Sequence, residues 1–184
     1  TEKALAYVNS QPEQVLFIKA SGLAFGKGVI KAENKIEAKK AIEQMSKFGK
    51  SGETFLIEKC LIGEEFSLFA ICDGEDFVVA KTAQDHKTAF DEDKGPNTRG
   101  MGSIAPTSVI TSKIVHEIEQ KILKPVLLGM KKEGRPYKGI LYLGGMLTPS
   151  AGSGQAQVKI IEFNCRWGDP EAEVILPSIL TDYL

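Results

Sequence analysis

A short motif late in the chain places three polar side chains of different chemistry at alternate positions. Glu162, Asn164 and, if the strand extends that far, Arg166 share one face of a predicted β-strand, whose opposite face directs Ile161 and Phe163 into the core. A carboxylate and an amide oxygen suit Mg²⁺, which takes its remaining ligands from phosphates and water. A guanidinium suits an anionic oxygen. The motif predicts a metal site at Glu162 and Asn164, with an exposed polar strand face as the alternative.

A glycine-rich segment between two predicted strands is a second candidate. It reads Gly22-x-x-x-Gly26-Lys27-Gly28, and it is not a P-loop, because Gly28 stands where a hydroxyl would bind magnesium and a strand follows instead of a helix. Glycines let backbone N–H groups approach phosphate oxygens closely, and Lys19 and Lys27 add positive charge. The segment predicts either a phosphate-binding flap or a solvated hairpin turn.

Residues 84–106 form a polar, glycine-rich stretch without a core-forming pattern. A loop of about 20 residues is longer than most connections within a domain, and such loops are often functional. Asp85, Lys87, Asn97 and Thr98 provide the donors and acceptors that a small polar substrate needs. The alternative is a surface loop without a site.

The end of another predicted strand offers groups that could recognise a nucleoside. Glu58, Lys59, Cys60 and Leu61 form a connector whose backbone N–H and C=O groups are open to an adenine edge, and Glu65 follows closely enough to hold ribose hydroxyls. Ordinary surface carboxylates explain Glu58 and Glu65 equally well.

Short strands and amphipathic helices must position these residues. Helices are predicted after the capping residues Asn34 and Thr111, the second kinked or interrupted at Pro125, and a helical pattern runs from residue 172 to 184. Strands are predicted at 15–20, 29–32, 54–58, 66–72, 77–80, 139–147 and 158–163. Hairpins mixed with helices in this order favour an α+β fold.

Composition and charge exclude several classes of protein. The 184 residues are 42% hydrophobic, which suits one substantial core or two small lobes, and the net charge of -1 provides no basic field for nucleic acid. No apolar run approaches the roughly 20 residues of a membrane-spanning helix, and no signal peptide is evident, so a cytoplasmic protein is expected. The spacing of Cys60, Cys72 and Cys165 supports neither a disulfide framework nor a zinc site.

Taken together, these motifs resemble the ATP-grasp family, and within it the ligases that join glycine to 5-phosphoribosylamine in purine biosynthesis. The resemblance covers nearly the whole chain. It is carried by residues 18–23, 26–29, 63–65, 84–87, 95–98, 100–102 and 162–171.

The resemblance implies an α+β ATP-grasp fold with two lobes, at about 1–65 and 66–184, whose antiparallel sheets sandwich ATP. It implies a reaction in which glycine, 5-phosphoribosylamine and ATP give glycinamide ribonucleotide, ADP and phosphate through a glycyl phosphate. The family's N- and C-terminal domains are not in this chain, so further domains of the same polypeptide are expected partners. Whether the chain turns over alone is left open.

The resemblance also assigns roles to the candidate residues. The flap would comprise Gly22, Gly26, Lys27 and Gly28, and Lys19 would contact the α- and β-phosphates. The backbone of Glu58, Lys59, Cys60 and Leu61 would read adenine, Glu65 would hold the ribose, and Glu162 with Asn164 would bind Mg²⁺ or Mn²⁺. The substrate side would comprise Asp85, Lys87, Asn97, Thr98 and Arg166, and the catalytic residues would be Lys19, Asp85 and Arg166.

Two other functions fit the same sequence. The chain could belong to another ATP-grasp carboxylate–amine ligase that acts on a different carboxylate. It could also be a non-catalytic nucleotide-binding module, because Arg99 stands where the family usually has glycine and would crowd the substrate loop.

Overall fold

The chain folds into two compact units, Thr1–Leu61 and Ile62–Leu184. The structure is a computed structural model that describes residues 1–22, 24, 28–91, 94–98, 100–149 and 156–180. The lobes predicted at 1–65 and 66–184 stay a prediction. Over the described residues, no helix combines the length and the apolar character needed to cross a membrane.

The first unit is built on a three-stranded antiparallel sheet with the strand order β2-β1-β3. Its strands are β1 (Leu16–Ala20), β2 (Val29–Ala32) and β3 (Phe55–Lys59). Its helices are α1 (Glu2–Ser10), α2 (Lys35–Gln44) and the short α3 (Lys50–Glu53). One core joins sheet and helices through Val8, Leu16, Ile18, Ala32, Ala38, Ala41, Ile42 and Met45.

Helix α2 begins where the sequence predicts. The side-chain Oδ1 of Asn34 accepts a hydrogen bond from the Glu37 N–H at 2.9 Å, and Glu37 Oε2 accepts one from the Glu33 N–H at 2.9 Å. These contacts satisfy N–H groups that have no partner within the helix. A 3₁₀ turn, Met45–Phe48, follows α2 and ends at Gly49, whose positive φ of 55° favours glycine.

The second unit contains a five-stranded antiparallel sheet in the order β10-β9-β4-β5-β8. Its strands are β4 (Glu64–Asp73), β5 (Phe77–Asp85), β8 (Ser103–Ile104), β9 (Lys138–Thr148) and β10 (Gln157–Asn164). A separate two-stranded hairpin comprises β6 (Thr88–Phe90) and β7 (Lys94–Asn97). The mixture of helices with antiparallel sheets confirms the predicted α+β class.

Both faces of the central strand β4 are covered. One face packs with the helices α4 (Ser112–Ile118) and α5 (Lys124–Lys132) in a core that includes Phe66, Leu68, Ala70, Ile118, Leu123, Leu141 and Leu143. The other face carries Ser67 and Phe69, and Phe69 packs with Ala83 and with Ile175 of the short helix α6 (Glu171–Ile175). This second face therefore places a buried hydroxyl group beside apolar side chains.

The long helix of the second unit is interrupted just before its proline. Thr111 Oγ1 accepts a hydrogen bond from the Ile114 N–H at 3.4 Å, which confirms the predicted cap. Between α4 and α5 the chain forms a π-helical turn, Glu119–Leu123. Pro125 has no N–H and its ring crowds the carbonyl one turn earlier, so the preceding turn widens and the helix continues.

The polar stretch 84–106 is more regular than a loop. Strand β5 extends through Gln84 and Asp85, which pair with Ile104 and Ser103 of β8, and the hairpin β6–β7 lies between them in sequence. The prediction of one long loop is therefore wrong. Backbone pairing requires no alternation of apolar side chains where neither strand covers the core, so the hydrophobic pattern could not reveal these strands.

The helical pattern after Ala172 ends earlier than predicted. Helix α6 ends at Ile175, a 3₁₀ turn Leu176–Ser178 follows, and Ile179 has extended backbone. Pro177 lies in that turn and cannot donate a hydrogen bond to continue an α-helix. The prediction of a helix through the rest of the chain is wrong for the described residues, and residues 181–184 lie outside them.

Candidate functional site

A polar pocket lies on the second unit where β4, β5, β9 and β10 come together. Its lining residues are Glu65, Phe66, Ser67, Asp85, Lys87, Tyr142, Gly144, Gly145, Ile161 and Glu162. Four of the residues predicted from the sequence to act in binding or catalysis, Glu65, Asp85, Lys87 and Glu162, therefore meet at one place.

The register of the sheet explains why these residues meet. Ser67 of β4, Gly144 of β9 and Glu162 of β10 lie in one row across the strands. Tyr142 of β9 and Asn164 of β10 lie in the next row on the same face. Gly144 keeps the space beside Glu162 open, because a Cβ there would lie 3.2 Å from Glu162 Cγ.

The two side chains predicted to hold a metal are in contact, but the packing predicted behind them is wrong. Asn164 Nδ2 donates a hydrogen bond to Glu162 Oε1 at 2.9 Å. Ile161 does not pack into the core: Ile160 pairs with Gly145 and Glu162 with Gly144, which leaves Ile161 as the extra residue of a β-bulge that lines the pocket.

The prediction that Phe163 packs into the core is also wrong. Phe163 pairs with Leu143 and so shares the face of the main core, but its side chain is 37% exposed. Strand β10 is an edge strand of its sheet, and a side chain there is covered from fewer directions than one on a central strand.

Arg166 lies beyond the strand that was expected to carry it. Strand β10 ends at Asn164, and the exposed Arg166 donates from Nη1 to the Trp167 carbonyl at 2.9 Å. Strand alternation therefore does not place Arg166 beside Glu162, and its predicted role in binding an anion stays a prediction.

Lys87 and Glu65 form an ion pair at the pocket. Burial acts to lower the pKa of Lys87, but the hydrogen bond and the charge of Glu65, with the charges of Asp85 and Glu162, outweigh it and raise that pKa. Lys87 is thus held as a cation among carboxylates.

Asp85 lies at the end of β5 with one oxygen, Oδ1, buried and without a hydrogen-bond partner among the described residues. Burial raises the pKa of Asp85 above its usual value, the charges of Glu171 and Glu65 raise it further, and Lys87 and His86 oppose them. An acceptor without a donor in a partly buried site is suited to a ligand that brings a donor.

The hairpin after β5 brings Thr98 back to this strand end. Its Oγ1 donates to the His86 carbonyl at 2.7 Å, and its N–H donates to the Lys87 carbonyl at 2.9 Å. Asn97 is in β7 and pairs with Thr88. Thr98 is therefore tied to the segment that carries Asp85 and Lys87.

No role was predicted from the sequence for three residues of this region, although Glu171 belongs to the motif 162–171. Glu171 is only 3% exposed, and its Oε1 accepts hydrogen bonds from Ser67 Oγ at 2.7 Å and from Tyr142 OH at 3.0 Å. Burial raises the pKa of Tyr142, and the charge of Glu171 contributes to the increase. Ser67 and Tyr142 interrupt apolar strand patterns, which was the signal that could have found them.

In the first unit, Lys19 lies on the face of the sheet opposite the core. Its Nζ forms an ion pair with Glu58 Oε2 at 2.6 Å. Val29 and Leu56 flank it on the neighbouring strands and are 53% and 52% exposed. The face combines a cation with apolar side chains, although Glu58 partly neutralises the cation.

The connector predicted to read adenine is partly strand. Glu58 and Lys59 pair with Phe17 and Leu16 of β1, and the Cys60 N–H donates to the Val15 carbonyl at 3.2 Å. Because β3 is an edge strand, alternate backbone groups still point away from β1. The expectation of open backbone groups therefore holds for the side of this segment that faces away from β1. Leu61 lies beyond the end of β3.

The glycine segment is described in part. A Cβ on Gly22 would lie 2.7 Å from Ser51 Cα, and one on Gly28 would lie 2.6 Å from Ala24 Cβ, so both positions have a packing reason to be glycine. Gly26 and Lys27 lie outside the described residues, as does Arg99. Phosphate binding by this segment stays a prediction.

Comparison with known proteins gives matches over nearly the whole chain. The family model of the phosphoribosylglycinamide synthetase ATP-grasp (A) domain matches residues 1–172. A phosphoribosylamine–glycine ligase of Streptococcus pyogenes serotype M1 is 49% identical over 185 residues, which is 99% of this chain and 42% of that protein. The chain therefore spans less than half the length of this relative.

Solved structures agree with the sequence matches. The crystal structure of phosphoribosylamine–glycine ligase from Thermotoga maritima has a TM-score of 0.71 and 34% identity, and the match covers 96% of this chain and 49% of that one. D-alanyl-alanine synthetase A from Vibrio cholerae shares the fold, with a TM-score of 0.62 at 18% identity over 89% of this chain and 45% of that one. The 184-residue chain belongs to the family of phosphoribosylglycinamide synthetase ATP-grasp domains.

Proposed function

We propose that this chain is the ATP-binding portion of a ligase of de novo purine biosynthesis that joins glycine to 5-phosphoribosylamine through a glycyl phosphate. The observation that carries the proposal is the pocket of the second unit, where Glu162 lies with Asp85 and Lys87 and is contacted by Asn164. The names of the relatives support the choice of substrates. The remainder of the polypeptide would complete the site.

The donor set at Glu162 and Asn164 fits a Mg²⁺ or Mn²⁺ ion. A carboxylate and a side-chain amide oxygen are hard oxygen ligands, and rotation of the Asn164 amide would present its oxygen in place of Nδ2. Among the described residues, no group of three or more His, Cys, Asp and Glu side chains could hold a metal by itself. The ion would therefore depend on nucleotide phosphates for further ligands, and it would supply charge neutralisation at those phosphates.

The first unit supplies candidates for nucleotide binding. We assign the exposed apolar side chains of Val29 and Leu56 to contact with the base or ribose, and Lys19 to the α- and β-phosphates. The open side of the β3 edge, from Glu58 to Leu61, would accept the adenine edge. In the second unit, Glu65 is the candidate for binding ribose hydroxyls. The segment from Gly22 to Gly28 would act as a flap over the phosphates.

The chemistry requires charge neutralisation more than a nucleophilic side chain. Phosphoryl transfer to a carboxylate brings anions together, so aligned cations and hydrogen-bond donors lower the barrier. Lys19 and Arg166 would stabilise the transferred group, while Lys87, Asn97 and Thr98 would hold the substrates. Asp85 would accept a proton or a hydrogen bond from a substrate amino group.

Nucleotide binding by the chain itself tests the metal assignment. We expect ATP with Mg²⁺ to raise the melting temperature by several degrees, ATP without Mg²⁺ to raise it much less, and Glu162→Ala to remove the Mg²⁺-dependent part. Glu133→Ala, which removes an exposed carboxylate at the end of α5, is the matched control and should retain the full shift. The absence of any nucleotide-dependent shift in the unmutated chain would refute the proposal.

The identity of the substrate is tested in the complete ligase polypeptide. ATP-dependent phosphate release should require glycine and 5-phosphoribosylamine together, and alanine or serine should not replace glycine. Release with a different carboxylate would favour another ATP-grasp ligase. Tight ATP binding without any substrate-dependent release would favour the non-catalytic module.

A further inference from the structure

Glu171 is a buried carboxylate that none of the roles above uses. Helix α6, which begins at Glu171, packs against β5 of the sheet. The side chain is 3% exposed, and a Cβ on Gly168 would lie 2.3 Å from Glu171 Oε2, so the loop before the helix leaves room for this carboxylate only because residue 168 is glycine. The fold therefore holds the carboxylate firmly in place.

The partners of Glu171 are two hydroxyl groups of the pocket wall. Ser67 Oγ and Tyr142 OH both donate to its Oε1, at 2.7 and 3.0 Å, and the two hydroxyl oxygens lie 3.0 Å apart. Ser67 and Tyr142 both line the pocket, in the strand rows that end at Glu162 and Asn164. Glu171 thus fixes the orientation of two pocket side chains from behind.

The charge of Glu171 is not balanced by a cation of the described residues. It forms no salt bridge with any described lysine, arginine or histidine, and Lys87 is paired with Glu65. A buried carboxylate without a counter-ion carries a desolvation cost that hydroxyl donors offset only in part. A neutral residue at position 171 that keeps the acceptor for Ser67 and Tyr142 would therefore be expected to leave the protein at least as stable, whereas an apolar residue would leave two buried hydroxyl groups without an acceptor.

The same charge acts on Asp85, which faces the pocket with its Oδ1 unpartnered among the described residues. Burial and then the charge of Glu171 raise the pKa of Asp85, and the charge of Lys87 opposes them. The negative charges of Glu171 and Asp85 reinforce each other, which favours a positively charged group at Asp85.

We propose that Glu171 is a positioning residue of the substrate site: it holds Ser67 and Tyr142 in the pocket wall, and its charge favours binding of the substrate ammonium group at Asp85. The inference rests on the proposed function, because it takes the amino acid substrate from there. Glu171 contacts no reacting atom in this arrangement and acts through its three neighbours.

A purely structural role and a role in binding predict different combinations of stability and substrate affinity for a charge-removing variant. Glu171→Gln keeps the size and the Oε1 acceptor, so both hydroxyl hydrogen bonds remain available. If Glu171 served stability alone, this variant would either lower the melting temperature or change nothing. If its charge serves binding, the variant should be as stable as the unmutated protein or more stable, and should still bind the substrate less well.

The test is steady-state kinetics of phosphate release in the complete ligase polypeptide. We expect Glu171→Gln to raise the KM for glycine by about tenfold or more, as loss of a nearby charge in a partly buried site predicts, and to change the KM for ATP less than about twofold. Glu173→Gln, in the same helix but exposed, is the matched control and should leave both constants unchanged. Tyr142→Phe keeps the charge, removes one donor and should raise the KM for glycine by a smaller factor.

The outcomes separate this inference from the proposed function. An unchanged KM for glycine in a folded Glu171→Gln variant, or equal increases in both KM values, would overturn the positioning role while leaving the ligase assignment intact. If Glu171→Gln does not fold, Tyr142→Phe decides on the positioning of the pocket wall: an unchanged KM for glycine in that variant would overturn the positioning role. Absence of glycine-dependent release in the unmutated polypeptide would overturn the proposed function and this inference with it.

Discussion

Each unit of the chain carries a lysine–glutamate ion pair at its antiparallel sheet, and the surroundings of the two pairs differ. Lys19 and Glu58 lie beside the exposed apolar residues Val29 and Leu56. Lys87 and Glu65 lie in a pocket with further carboxylates, Asp85 and Glu162. The first setting suits the flat base and phosphates of a nucleotide.

The second setting suits cations. Around Lys87, the carboxylates outnumber the one lysine, and their charges raise its pKa. The same type of ion pair therefore suits different ligands in the two units, because the surrounding residues decide which sign of charge remains available to a ligand. Four predictions test this contrast, beginning with the integrity of each unit.

Two glycine substitutions should destabilise one unit each. A Cβ on Gly52 would lie 1.8 Å from the Met45 carbonyl oxygen in the first unit, and one on Gly145 would lie 2.4 Å from the Phe66 ring in the second. Each alanine variant should lose about 3 kcal/mol, the upper range for overpacking. Gly129→Ala, in an open part of α5, should gain up to about 1 kcal/mol.

Urea unfolding gives the size of these losses, and amide hydrogen exchange locates them. Gly52→Ala should reduce protection mainly in β1 to β3, and Gly145→Ala mainly in β4, β9 and β10. Equal loss of protection in both units from either substitution would show that the units do not unfold separately.

Substitution of each lysine by methionine should affect a different ligand. Lys19→Met should weaken ATP binding to the chain about 10- to 100-fold, the cost of losing a charged hydrogen bond, and should leave the KM for glycine unchanged. Lys87→Met in the complete polypeptide should lower kcat/KM for glycine by a similar factor and leave ATP affinity unchanged. Calorimetric titration and phosphate release provide the measurements. A matching loss of ATP affinity in both variants would contradict the assignment of the two lysines to different ligands.

The effect of Asp85 on stability should depend on pH, because other carboxylates surround it. Burial, followed by the charge of Glu171, raises its pKa, so the folded state holds this proton more tightly than the unfolded state. The resulting stabilisation is present below the ordinary aspartate pKa of about 3.9 and is lost as the pH rises through the raised pKa of the folded state. Asp85→Asn should therefore melt about 2–4 °C higher than the unmutated chain at neutral pH, which is about 1 kcal/mol for this size.

The pH dependence of melting checks this sign. At about pH 3, below the ordinary aspartate pKa, Asp85→Asn and the unmutated chain should melt alike. Asp91→Asn, which alters an exposed aspartate in the turn after β6, is the control and should show no comparable gain. A gain in Asp85→Asn that persists undiminished at acidic pH would contradict an electrostatic cause.

The helix caps give the smallest expected effects. Asn34→Ala should cost about 1 kcal/mol, because its Oδ1 accepts from Glu37 N–H at 2.9 Å. Thr111→Ala should cost about 0.5 kcal/mol, because the equivalent distance to the Ile114 N–H is 3.4 Å. Urea unfolding midpoints of the two variants, with Ser108→Ala as the control, test whether Asn34→Ala is the more costly substitution. A larger loss of stability in Thr111→Ala would contradict this prediction.

Periodicity and capping residues were sufficient to predict most of the regular elements. Strand β2 is found at the predicted residues, and the strands β1, β3, β9 and β10 differ from prediction by a residue or two at their ends. Their apolar residues recur every two positions in a strand or every 3.6 positions in a helix, so a short stretch of sequence is enough to predict the element. The hairpin β6–β7 was missed because it carries no such pattern.

Glu162 and Asn164, the pair proposed to bind a metal, show where local reasoning succeeds and where it stops. Glu162 and Asn164 are two residues apart, so alternation alone predicts that they share a face, and Asn164 indeed donates to Glu162. Alternation also predicted that Ile161 packs into the core, and this failed at the bulge. A bulge depends on the partner strand, which the local sequence does not contain.

The sequence by itself determined the family, most strands, the two helix caps and the local pairing of Glu162 with Asn164. Only the tertiary structure joined Glu171 to Ser67, 104 residues earlier, and Lys87 to Glu65, 22 residues earlier. The physical reason is that such contacts depend on strand register and on the packing of α6 against β5, and these arise when distant segments bury their apolar faces together. The charge of the pocket, and hence the ligand that it favours, is a property of that assembly.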